Sequence, residues 1–231
     1  MLVFALFCAS FSHAQTYTKG KGITYNGYNY PTIILGNGQE WMAHNLRTTQ
    51  YNDGTSIPLV TDPNQWAANS INSTTLPMMC WYDNDQATYT ANDFGALYNW
   101  YAVNPLTNGN KNVCPAGWHV PNDAEWTNLI NYLDPNAAGG NNTNTAGDKM
   151  KSTGTQHWHD ATNESGFLGL PGGDRSYYGS FYLIGSAGYW WSSTEDSTNN
   201  VWGRYLSSSS GGAYRSNFYE ATGLSVRCLR D

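Results

Sequence analysis

The stretch CPAGWHVPNDAEWTNLINYLD, residues 114 to 134, carries a strong local signal. Trp126, Leu129, Ile130 and Leu133 recur at i, i+3, i+4 and i+7, which places them on one face of a helix. Asn122 followed three residues later by Glu125 has the form of a capping box, with Asn in place of Ser or Thr. Pro121 stands just before that cap. The helix is therefore expected to start after Asn122 and to turn its apolar face to a core. A second helix is predicted in NDFGALYNWYAVN, residues 92 to 104. There Phe94, Leu97, Tyr98, Tyr101 and Ala102 show the same spacing, and Asn92 or Asp93 can cap.

Away from these two segments the chain reads as short strands and loops. NYPTIILG and QEWMAHN flank Gly36-Asn37-Gly38, a good hairpin turn. Later come GFLGLPG, GYWWSST, VWGRYLS, AYRSNFY and LSVRCLRD. Asn, Gly and Thr fill residues 136 to 148, which read as a surface loop within one domain. Short strands with a few embedded helices indicate the α+β class and no repeated βαβ scaffold.

Composition narrows the function classes. The 231 residues are 40% hydrophobic and 15% aromatic, with 10 Trp and 17 Tyr, enough for a sizeable core. Charged residues make up 12%, against roughly 25% in ordinary globular chains. Solubility must come from Asn, Ser, Thr and Gly, as is common on exported proteins. The net charge of −6 and the lack of any Lys/Arg cluster argue against nucleic acid as a partner.

The first residues, MLVFALFCASFSHAQ, hold an apolar run from Leu2 to Phe11. It is too short to span a bilayer, which takes about 20 residues. It ends at Ser12-His13-Ala14, a small-x-small cleavage site. Residues 1–14 are read as a signal peptide and 15–231 as a single domain, secreted or held at the cell surface. No later segment is apolar enough to cross a membrane. Without the leader, Cys80, Cys114 and Cys228 remain, so at most one internal disulfide forms. The preferred pair is Cys114 with Cys228, tying the C-terminal strand to the segment entering the helix after Asn122. Cys80 is expected to be buried and inert.

Six phrases then point to a family: EWMAHNLRTTQYNDGTSIP, CWYDNDQATY, FGALYNWYAVN, CPAGWHVPNDAEWTNL, GYWWSSTE and GLSVRCLRD. In that order, from about Gly22 to Asp231, the chain resembles the Fibrobacter succinogenes major paralogous domain. His44 stands where the family more often has Glu, and Leu224 where Phe is usual. More distantly, GWHVPNDAEW and GLSVRC are similar to segments of formylglycine-generating-enzyme-like domains. That resemblance implies a C-type-lectin-like fold: two helices, a small twisted antiparallel sheet, extensive irregular loops, and terminal strands side by side.

Those enzymes need a close pair of cysteines in the C-terminal region, and here that region holds Cys228 alone. The resemblance therefore implies no such oxidase. His-Glu-x-x-His, Gly-x-Ser-x-Gly, P-loop and dinucleotide motifs are missing as well. His157-Trp158-His159 offers two ligands from one face of a strand, although surface polar residues around a buried Trp explain it better. Asp83 and Asp85 are a candidate for a structural Ca²⁺, against the plainer reading of a turn with solvated carboxylates. No other cofactor is expected. Trp41, Trp81, Trp100, Trp118, Trp126, Trp190 and Trp191 are read as core.

The stretch from Val201 to Tyr219 has a different character. It reads as two strands joined by a Ser/Gly tip, and Tyr, Ser, Gly, Asn, Trp and Arg are the palette of binding loops. Candidate ligand contacts are Trp202, Arg204, Tyr205, Ser207, Ser209, Tyr214, Arg215, Asn217 and Tyr219. The aromatics would stack on a ligand and the arginines supply charged donors. The family resemblance implies that such a segment can be a target of diversity-generating retroelements. The expectation is a non-catalytic binding or adhesion module for a surface protein or a glycan. An ordinary solvated hairpin, a structural fibre subunit and an unusual enzyme are the alternatives.

Overall fold

The structure is a computed structural model that describes residues 15–72, 74–137, 144–154, 158 and 160–231. The expected signal peptide and the His157/His159 pair lie outside the described residues. In chain order, β1 (Tyr17–Lys19) is followed by the hairpins β2 (Ile23–Tyr25) with β3 (Tyr28–Tyr30) and β4 (Thr32–Leu35) with β5 (Glu40–Met42). Helix α1 (Pro63–Ile71) leads to β6 (Met79–Cys80), α2 (Gln86–Ala91), β7 (Leu97–Tyr98), α3 (Trp100–Val103) and α4 (Pro105–Asn108). Then come β8 (Trp118–His119), α5 (Asp123–Leu133) and α6 (Ala146–Met150). The last third is β-rich: β9 (Gly172–Arg175), β10 (Phe181–Ile184), β11 (Ala187–Ser197), β12 (Asn200–Ser207), β13 (Ser210–Tyr219) and β14 (Leu229–Arg230).

The class is mixed α+β, as expected. One five-stranded sheet has the order β1-β4-β5-β14-β8, and another the order β10-β9-β11-β12-β13. The first brings β14 between β5 and β8, with Leu229 opposite both Trp41 and His119. The Gly36–Gly38 turn joins β4 to β5 as read from the sequence. Cys114 and Cys228 form the disulfide, their Cα atoms 5.9 Å apart. Cys80 is buried, and burial pushes its thiol up to about 12. The seven tryptophans assigned to the core are all buried. No helix among the described residues is long and apolar enough to cross a membrane.

Helix α5 starts where its capping box places it. The Asn122 side chain accepts from the Glu125 N–H at 2.9 Å, and Glu125 Oε2 accepts from the Asn122 N–H at 2.8 Å. Trp126, Leu129, Ile130 and Leu133 form its buried face.

The helix predicted over 92–104 does not form. Gly95 has φ +79°, and a Cβ there would lie 2.8 Å from the Leu46 carbonyl oxygen. Neighbouring backbone groups are bonded to distant segments. Asn45 donates to the Phe94 carbonyl at 2.8 Å, the Ala96 N–H to Leu46 and the Tyr98 N–H to Leu224, each at 2.9 Å. Helical backbone starts only after Asn99, whose side chain accepts from the N–H groups of Met78 and Ala102. The longer second helix is α1, capped by Asp62 with Pro63 in its first turn. Asp-Pro at residues 62–63 is the local start signal for this helix.

Candidate binding face

The second sheet sets a row of tyrosines across its whole width. Tyr182 on β10 is opposite Asp174 on β9. Gly188 pairs with Gly173, so Tyr189 on β11 lies beside Asp174. Tyr189 is opposite Tyr205 on β12, and Tyr205 opposite Tyr214 on β13. Directly opposed residues share a face, so one row runs Tyr182, Asp174, Tyr189, Tyr205, Tyr214 over five strands. The Tyr205 and Tyr214 rings stack at 4.9 Å, and Tyr189 lies 5.8 Å from Tyr205. Phe218 meets Tyr189 edge-on at 5.7 Å. The opposite face, with Trp190, Arg204, Leu206 and Ala213, is buried and meets α5 and α6.

At the β9–β10 end the row opens into a cleft of 510 Å³ whose lining includes Asp174, Tyr177, Tyr182, Tyr189, Phe218 and Tyr219. Tyr177 touches Tyr178 at 4.1 Å and Tyr219 at 4.6 Å between ring centroids. Tyr178, Tyr182, Leu183 and Tyr219 are 63%, 53%, 49% and 50% exposed. These grouped, half-exposed apolar side chains form the kind of patch that marks an interaction site. Leu183 adopts φ +63°, a strained backbone for a bulky residue. Backbone strain of this kind concentrates at functional sites.

The Asp174 side chain has no hydrogen bond or ion pair among the described residues, and burial pushes its carboxyl up to about 6. Tyr189 is raised to about 12, first by burial and then by the charge of Asp174. Among the described residues no Lys or Arg lines the cleft. Its wall is held from behind by Arg175, which is fully buried between Trp66 and Phe181 at 4.4 and 4.8 Å. Arg175 donates to the carbonyls of Gly179, Val60 and Thr61, which ties the β9–β10 hairpin to the entry of α1.

The nine side chains expected to contact a ligand are divided between two faces and a tip. Tyr205 and Tyr214 belong to the tyrosine row, and Tyr219 and Asn217 reach the cleft rim. Asn217 also donates to Asp196 at 2.7 Å. Arg204 is on the opposite face, 1% exposed, and donates to Asp123 at 2.8 Å. Arg215 is exposed but forks onto Asp123 at 2.9 and 3.0 Å, with its guanidinium 3.2 Å from the Trp202 ring centroid. Ser207 and Ser209 bond each other at 2.9 Å at the tip. Both arginine charges are thus engaged inside the protein.

The expected Ser/Gly tip is shorter than its composition suggests, because Ser210, Gly211 and Gly212 already belong to β13. A Cβ on Gly147 of α6 would lie 2.2 Å from the Gly212 carbonyl oxygen. Lys151 donates to the Ser210 carbonyl at 2.6 Å, and Asn144 exchanges two hydrogen bonds with Ala213. The glycines serve close helix packing.

Asp174, Tyr177, Tyr178, Tyr182 and Tyr189 were not singled out from the sequence. The available signal was DRSYYGSFYLIG, residues 174 to 185, which has the same Tyr/Ser/Gly palette as the C-terminal hairpin. Of the calcium candidates, Asp83 sits in a tight turn at φ +48° and Asp85 caps α2 by accepting from the Thr88 N–H. Among the described residues no group of three or more His, Cys, Asp or Glu is placed to hold a metal.

In comparison with known proteins, the family model described as the Fibrobacter succinogenes major domain matches residues 35–230. No curated protein and no solved structure matches the chain significantly.

Proposed function

The chain belongs to the Fibrobacter succinogenes major domain family, and we propose that it is an exported, non-catalytic ligand-binding or adhesion module. Its binding face in this reading is the tyrosine row and the cleft at its β9–β10 end. The observation that carries it is the row itself: four tyrosines and one unpaired carboxylate in register, beside half-exposed Tyr178 and Tyr219. Rings on a rigid sheet offer contact area at low entropic cost. A C-type-lectin-like arrangement is part of the proposal, supported by β5 and β14 lying side by side and by the disulfide beside them. Retroelement diversification also belongs here. It would act on exposed positions such as Ser209, Asn217 and Tyr219 and spare Arg204, Gly212 and Ala213, which hold the frame.

The test is binding of wild type and a Tyr182→Ala/Tyr219→Ala double variant to arrays of glycans and surface proteins. Both side chains are half exposed, so the variant should keep its melting temperature and lose binding. Unchanged binding by the double variant would remove the cleft from the reading.

A further inference from the structure

The molecule twice builds a three-part set of arginine, carboxylate and aromatic ring. Arg215 forks onto Asp123 and stacks on Trp202. Arg47 pairs with Asp93 and lies 5.0 Å from the Tyr28 ring centroid. The cleft repeats the carboxylate and the rings without the arginine. Asp174 stands between Tyr182 and Tyr189 in the row and has no partner among the described residues. Neighbouring arginines do not supply one. Arg175 faces the other side of β9 and donates to three carbonyls, and Arg204 and Arg215 are both on Asp123.

The surroundings are acidic. Tyr219 also lines a second cleft of 180 Å³, which contains Glu220 and, among the described residues, no Lys or Arg. Asp196 accepts from Asn217 at the rim. A site with carboxylates, π-faces and no cation of its own is complementary to a positively charged group. A guanidinium suits it better than an ammonium, because it is planar, weakly hydrated, stacks on rings and matches a carboxylate with two parallel donors.

Building on the binding-module reading above, we infer that the cleft receives an arginine side chain presented by a partner protein, with its guanidinium on Asp174 and against the tyrosines of the row. The experiment titrates the whole chain with acetyl-Gly-Arg-Gly-amide, the same peptide with citrulline for arginine, and cellobiose. It follows the ring resonances of Tyr182, Tyr189 and Tyr219 by NMR. The arginine peptide should shift these rings. The neutral citrulline peptide, of the same shape, should bind at least tenfold more weakly. Asp174→Asn should bring the arginine peptide to the citrulline level, and Tyr219→Ala should weaken it severalfold. Equal binding of the two peptides, or shifts with cellobiose alone, would overturn the arginine assignment and leave the cleft as a binding face. If no probe moves the rings and the array binding survives loss of Tyr182 and Tyr219, both readings fall. Concentration-dependent dimers of wild type that Asp174→Asn abolishes would instead give the cleft to a second copy and overturn the partner.

Discussion

Asp123→Asn tests whether the C-terminal hairpin is locked to the frame or free to donate its arginines. Asp123 is in the first turn of α5, where a carboxylate gains about 0.3–1 kcal/mol from the helix dipole. Its larger role is as counter-charge to Arg204, which is 1% exposed. Arg204 also donates to the Asp123 carbonyl, Thr127 Oγ1 and the Gly203 carbonyl, while its Nε has no partner. Removing one member of a buried pair costs about 3–5 kcal/mol, because the other charge stays buried. The partly exposed Arg215 is different: its ion pair contributes about 0–1 kcal/mol, plus about 0.5–1 for its place on Trp202. Urea unfolding at pH 7 should therefore show Asp123→Asn losing about 3 kcal/mol and Arg215→Ala about 1 kcal/mol. Arg204→Met in the Asp123→Asn background should recover part of the loss.

The pH dependence follows the same pair. Burial pushes Asp123 up, and the hydrogen bonds and charges of Arg215 and Arg204 more than reverse this, so its folded pKa lies below the unfolded value of about 3.9. Its stabilisation is present above that value and is lost as pH falls through the folded pKa. Asp123→Asn should lack this acid limb. A loss below about 1 kcal/mol at pH 7 would refute the reasoning and return Arg204 to the pool of available donors.

Four further outcomes are expected. Asp174 has its folded pKa raised to about 6 by burial alone, so the folded state holds its proton more tightly and stability falls as pH rises from about 4 to 6. Asp174→Asn should accordingly be more stable than wild type by about 2 kcal/mol at pH 7 and equal to it at pH 3, read by chemical denaturation. For His119, burial lowers the pKa, but Asp231 at 2.6 Å and Glu125 at 3.0 Å raise it overall. Its contribution is complete below about pH 6.5 and disappears as pH rises through the folded value; His119→Asn should flatten that slope in thermal melts. Thiol titration of the chain from Gln15 should find no reactive group when folded and one, Cys80, after unfolding without reductant. Reducing Cys114–Cys228, 114 residues apart, should cost about 5 kcal/mol on the chain-entropy model.

The parts of the fold that were legible are those decided within a few residues. The α5 capping box closes over three residues, and the Gly36–Gly38 turn carries its own geometry. The stretch from Asn92 to Asn104 has the same apolar spacing as α5 and no such local closure. Its conformation is decided by Asn45, Leu46 and Leu224, which are distant in sequence. The candidate site divides the same way. The hairpin, its aromatics and the disulfide were readable as composition and cysteine count. Which face Arg204 occupies depends on Asp123, 81 residues earlier. Asp174 was illegible for a related reason: its side chain is distinguished by having no partner among the described residues, which no single position in a sequence displays.

The position of β14 also sets when this molecule can be finished. Arg227, just before that strand, reaches back 185 residues to the Met42 carbonyl, and the strand then fills the gap between β5 and β8. On the ribosome, β4 and β5 must wait for nearly the whole chain with the outer edge of β5 unpaired. The sheet closes, and Cys114 finds Cys228, only after residue 228 has been made. Assembly order is thus set by topology, and a prematurely terminated copy would be left with an open strand edge that invites aggregation.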